Sequence, residues 1–237
     1  IDHFFGAFTS FNSKAIKDIR VTRGGFDSQW GGRASSVVEI TGKTGNENNL
    51  VADIGSDQLS ADIEVEGPIG KKTTFVFASR RSYTDIYHSN LYYNLFESAR
   101  SDIMVNNQTP TAFKTDPSQP GYYFYDMNAK ISFKPTSKDI LSISGYKGYD
   151  NLGLNDTESI PNVFEDSNWG NQGLGLRWSR QWSSKFYHSF TAGASRYDLY
   201  YNHFDIRLRR ELGLNSTLDT ISHTYLTDNK LDDINLN

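Results

Sequence analysis

The stretch from Tyr122 to Lys134, YYFYDMNAKISFK, limits the fold of this chain more than any other. Tyr123, Tyr125, Met127, Ala129, Ile131 and Phe133 fall on one side of an extended backbone, and Asp126, Asn128, Lys130 and Ser132 fall on the other. Side chains alternate across a strand with a period of two, so the stretch is predicted to be a strand with one apolar and one wet face. A soluble sandwich and a membrane barrel both use such strands.

Segment spacing separates the two. From Asn48 onward the chain divides into Leu50 to Gly55, Leu59 to Glu66, Thr73 to Tyr83, Tyr122 to Lys134, Asp139 to Tyr149, Trp169 to Arg180, Phe186 to Tyr200 and a last polar strand from near Lys230. The connectors Gly67 to Lys72, Pro135 to Lys138 and Gln181 to Lys185 are tight; Thr84 to Gly121, Asp150 to Asn168 and the stretch after Tyr200 are long. Short turns on one side and long loops on the other characterise transmembrane barrels, and aromatic residues near segment ends, such as Trp178, Trp182 and Phe186 or Tyr197, Tyr200 and Tyr201, fit their interfacial girdles. A negative mean hydropathy agrees with strands that average apolar and polar faces. No apolar run is long enough for a membrane helix.

Ahead of the wall lies Lys14 to Asn46, the least generic part of the chain. Lys17 to Arg23 alternates as a strand, Gly24-Gly25 supplies a sharp turn, Trp30-Gly31-Gly32-Arg33 repeats the device, and Ser36 to Thr41 forms a second strand before a polar exit through Asn49. The order Val21-Thr22-Arg23-Gly24-Gly25, Trp30-Gly31-Gly32-Arg33, Ile40-Thr41-Gly42-Lys43-Thr44-Gly45 resembles the C-terminal end of the plug domain of TonB-dependent outer-membrane receptors. The opening DHFFGAFTSFN is similar to the plug of one Bacteroidetes-like branch of that family, and WGNQGLGLRW with KFYHSFTAGASRYDLY is similar to its barrel hairpins.

The resemblance implies a mainly β fold: residues 1–47 as the C-terminal part of a plug, and residues 48–237 as the N-terminal part of an antiparallel transmembrane barrel. About seven full strands and part of an eighth are expected here, of roughly 22 in a plugged transporter. The chain is accordingly expected to be an internal piece whose wall stays open. The implied function is energised import of a scarce substrate (siderophore, cobalamin, oligosaccharide or peptide) across the outer membrane of a Gram-negative bacterium. The implied partners are outer-membrane lipid and a TonB-ExbB-ExbD complex acting through a segment upstream of Ile1. A surface lipoprotein partner belongs to the starch-utilisation branch, from whose Asn-Gly-Val-Ile-rich strand Ala34-Ser35-Ser36-Val37-Val38-Glu39 departs. By the same resemblance Arg23 and Arg33 are candidates for locking plug to wall, beside the turn glycines Gly24, Gly25, Gly31 and Gly32. Glu64 and Glu66 are acidic partners for them if they face the lumen.

Other chemistry finds little support. His3, His88, His188, His203 and His223 sit in no metal-ligand spacing, and no P-loop, Gly-x-Ser-x-Gly or HExxH pattern occurs. No catalytic residue, metal or cofactor is therefore expected. The acidic stretch with Asp150, Asp156, Glu158, Glu165 and Asp166 lacks EF-hand spacing and is read as a solvated loop. Scattered Lys and Arg give no nucleic-acid footprint. Tyr87, Leu91, Tyr92, Leu95, Phe96 and Ala99 recur at three and four, which predicts a short amphipathic helix within the long 84–120 connector. Tyr87, Tyr92, Tyr93 and Phe96 are candidates for ligand capture there. A small passive outer-membrane barrel or adhesin, and a secreted β-sandwich binding module, remain as alternatives.

Overall fold

The computed structural model describes residues 2, 3, 8, 9, 11–25, 36–95, 121–156, 162–210 and 218–236. It is dominated by one antiparallel sheet of eight strands in chain order: β5 (Val51–Ser56), β6 (Ser60–Ile69), β7 (Thr73–Ser82), β8 (Gly121–Phe133), β9 (Asp139–Asp156), β10 (Asn162–Ser183), β11 (Phe186–Arg210) and β12 (Leu218–Leu236). Ahead of it come two small pairs, β1 (Asp2–His3) with β2 (Phe8–Thr9), and β3 (Ile16–Arg23) with β4 (Ser36–Gly42). The sheet is open, because its edge strands β5 and β12 do not pair with each other.

The eight strands match the expected number, but several boundaries need correction. Gly67 and Pro68 belong to β6, so the first turn tightens to residues 70–72 around Gly70, whose φ is 72°. The connectors read at Asp150 to Asn168 and after Tyr200 are largely strand. β9 runs on to Asp156, β10 begins at Asn162, β11 reaches Arg210 and β12 begins at Leu218. Asp150, Glu165 and Asp166 therefore lie in the sheet and not in a solvated loop. Asp, Asn and Glu interrupt these halves, which gave them the composition of loops, while backbone pairing continues without a break from Trp169↔Asp150 to Val163↔Asp156. Within the connector after β7, residues 90–95 are helical; Phe96 and Ala99 lie outside the described residues.

Residues directly opposite in antiparallel strands share a face, so the register sorts the sheet into two surfaces. Val65, Phe77, Ala129, Gly145, Leu174, Ala194 and Ile234 form one continuous cross-strand row. Phe75, Ile131, Ile143, Leu176, Ala192 and Leu236 form the next, and Thr73, Phe133, Leu141, Trp178 and Phe190 the one nearest the turns. Together they make an apolar belt on which nothing packs among the described residues: Leu174 is 69% and Ile234 79% exposed. The belt stops at the row containing Lys147, Gln172, Arg196 and Asp232.

The opposite face carries most of the polar residues, with Glu64, Asp126, Asn128, Lys130, Ser144, Asp150, Ser167 and Asp205 on it beside a small buried apolar cluster that includes Tyr122, Phe124 and Leu152. The N-terminal segment lies against this face, through His3, Lys14 and Lys43. Much of the sheet's apolar surface is thus turned outward, whereas a water-soluble protein turns most of it inward.

Candidate functional site

The centre of the polar face is a buried cluster where β1 meets β7, β8 and β9. His3 is 2% exposed and its ring stacks on Phe124 with centroids 4.3 Å apart. Its Nδ1 lies 2.7 Å from Asp150 Oδ2, and its Nε2 lies 3.6 Å from Asp126 Oδ2. Arg80 donates to the same Asp126 oxygen from Nε at 2.8 Å and from Nη2 at 2.6 Å, and Nη2 also donates to the Thr9 carbonyl at 2.7 Å. Tyr122 donates its hydroxyl to Asp150 Oδ1 at 2.5 Å. When His3 is protonated, two carboxylates, a guanidinium and an imidazolium sum to zero charge, the condition under which buried ions are tolerable.

Burial pushes the His3 imidazole down, but hydrogen bonds to Asp126 and Asp150, with their charges, outweigh it and hold its pKa above the ordinary histidine range. A raised pKa on folding means that the contribution is fully present below the ordinary value and is lost as pH rises through the raised one. A fluorophore on Thr9→Cys should therefore gain mobility, read as anisotropy, as pH climbs past the His3 transition. His3→Gln should flatten that curve; an unchanged transition in the variant would show that another group titrates.

Further contacts fasten the rest of the N-terminal segment. Lys14, at the 3-10 turn Ser13–Ala15, pairs with Asp53 of β5 and lies 3.5 Å from Asp62 of β6; Lys43, just past β4, pairs with Glu64 at 2.6 Å; Glu47 pairs with Lys134. The Thr74 hydroxyl donates to the Thr44 carbonyl at 2.5 Å. Gly45, with φ of 89°, presses on the Phe75 backbone, where a Cβ would collide with the carbonyl.

The residues singled out from sequence fall differently. Arg23 closes β3 opposite Ser36, is exposed, and forms no ion pair among the described residues. Glu64 does face the N-terminal segment, but its partner is Lys43. Gly24 and Gly25 adopt φ of 69° and 60°, the left-handed turn expected of them. Gly31, Gly32, Arg33 and Phe96 lie outside the described residues. Tyr87 and Tyr93 are exposed near residues 90–95. Tyr92 is buried with Leu59, Tyr122, Phe124 and Leu152, and burial pushes its hydroxyl above the usual range. His3, Arg80, Asp126 and Asp150 were missed, since a pairing across 147 residues leaves no local pattern.

Two other features share the polar face. Glu165, His203, Asp205 and His223 stand with polar atoms 3.4 to 3.7 Å apart on β10, β11 and β12, yet among the described residues no group of three His, Asp or Glu is set to hold a metal ion. A cavity of about 310 Å³ separates Ala15, Gly42 and Lys43 from residues of six successive strands, β7 to β12. No helix among the described residues is long and apolar enough to cross a membrane. No protein-family model, curated protein or solved structure matches this chain.

Proposed function

We propose that the eight-stranded sheet is part of the wall of an outer-membrane β-barrel, that the N-terminal segment is plug held in its lumen, and that the protein is a TonB-dependent receptor importing a scarce substrate without covalent chemistry. The observation that carries this reading is the outward-turned belt of the sheet: its open face is an in-register apolar belt, and its covered face sets charged and polar residues around a small apolar cluster. In water the belt is a liability; against acyl chains it is the favourable surface. Trp178, Trp182 and Phe186, all at the turn end of the belt, supply an aromatic border. β10 and β11, at 22 and 25 residues, are about twice as long as a crossing requires and suit a wall that projects beyond the bilayer. The sandwich alternative fits less well, since no second sheet covers the apolar belt among the described residues. The sheet's open edges do not suit a small barrel closed by these eight strands.

The chain has no cysteine, so single cysteines report topology cleanly. In intact cells a membrane-impermeant maleimide should label Tyr87→Cys, in the long connector after β7. It should spare Lys71→Cys and Lys185→Cys, in the short turns, until the cells are lysed. Equal labelling of all three would remove the transmembrane reading.

A further inference from the structure

We propose that the cavity between the β3–β4 pair and the sheet binds a small anion through a carboxylate or phosphate group, with Lys130 and Asn128 as its principal contacts. The floor of this cavity is kept low by glycine: a Cβ on Gly175 would stand 2.9 Å from Ser144 Oγ, and one on Gly193 2.9 Å from Asn235 Oδ1. Of the two lysines that line it, Lys43 is already neutralised by Glu64 at 2.6 Å. Lys130 is not, for no carboxylate pairs with it among the described residues. Beside it on β8, Asn128 Nδ2 is buried and has no hydrogen-bond acceptor among the described residues.

Uncompensated positive charge and an orphaned buried donor are each unfavourable in a partly desolvated space. They share one remedy. An anionic oxygen accepts from the amide and the ammonium together, and its charge offsets that of Lys130. A cation would meet the like charge of Lys130, and a neutral ligand would leave the ammonium without a counter-charge. The hydroxyls of Ser144 and Ser195, also lining the cavity, can donate to the same group.

The test is calorimetric titration of the purified full chain in detergent at low ionic strength, with citrate in one arm and inorganic phosphate in the other. Because it uses purified protein, it stands or fails apart from the membrane assignment. Saturable binding of either anion, screened by added salt, is expected, and the arm that binds tighter gives the group. Lys130→Met should weaken binding about tenfold or more, the loss of one charge-assisted hydrogen bond. Asn128→Ala should weaken it less, Lys130→Arg should retain it, and Lys185→Met, on an exposed turn, should leave it unchanged. Absence of saturable binding to the unmodified chain, or equal binding to the Lys130→Met and Lys130→Arg chains, would overturn the proposal.

Discussion

Replacing Arg80 by methionine should destabilise the folded protein by about 3 to 5 kcal/mol, the loss expected when one member of a buried ion pair is removed and the other stays. Asp126 is fully buried, and its Oδ1 has no hydrogen-bond partner among the described residues, so Oδ2 carries its pairing. Both Arg80 contacts fall on that oxygen. Without the guanidinium, His3 at 3.6 Å is the nearest cation, and it is already committed to Asp150 at 2.7 Å. The Thr9 carbonyl loses its donor at the same time, so the N-terminal segment should loosen with the cluster. Urea unfolding in lipid vesicles, followed by fluorescence, measures the effect. The double variant Arg80→Met, Asp126→Leu should recover much of the loss, because it leaves no buried charge behind. If the single and double variants are equally unstable, packing around Phe124 is responsible instead of charge.

Leu174→Arg should be nearly as damaging, and only in a membrane. Leu174 projects from the belt row farthest from the turns, next to the row of Gln172, and is 69% exposed. A change at so exposed a position in a soluble protein usually shifts stability by less than about 0.5 kcal/mol. On the lipid face of a barrel, arginine costs about 2 to 4 kcal/mol at the midplane and less toward the interfaces. The variant should accumulate poorly in the outer membrane and unfold at lower urea in vesicles. Gln172→Arg is the matched control, one pair further along the same face of β10, in the row that already holds Lys147 and Arg196. It should assemble normally. Tolerance of arginine at 174 would mean that the belt faces water or protein rather than lipid.

How much of this was legible follows from what each feature needs. The alternation in Tyr122 to Lys134 requires only neighbours along the chain, and the structure places Met127, Ala129, Ile131 and Phe133 on the open face and Asp126, Asn128, Lys130 and Ser132 on the covered one. The turns between β6 and β7, β8 and β9, and β10 and β11 were read from glycine, proline and polarity alone. The upper halves of β9 to β12 were not legible, since their Asp, Asn, Glu and Gly content has the composition of a loop, and the backbone pairing that extends the strands leaves no mark in composition. The His3 cluster was equally hidden: Phe124 and Tyr122 read as part of a strand, Asp150 as the edge of a loop, and only the register of β8 against β9 sets Phe124 opposite Asp150. Arg23 and Arg33 drew attention through the plug-like motif. The contacts that the structure describes are made by His3, Lys14 and Lys43, which stand in the same plug-like stretches but were not singled out there.

The order of the attachments along the chain has a mechanical meaning. His3 is held by β8 and β9, Lys14 by β5 and β6, Lys43 by β6, and Glu47 by Lys134 just past β8. Tension on the chain ahead of His3 reaches these fasteners one after another, and each shields those behind it until it gives way. Such an arrangement peels. The force needed at any moment is that of a single fastener, and the work is spread over the distance travelled. A weak but sustained pull can therefore strip the segment from a wall that holds it firmly at rest.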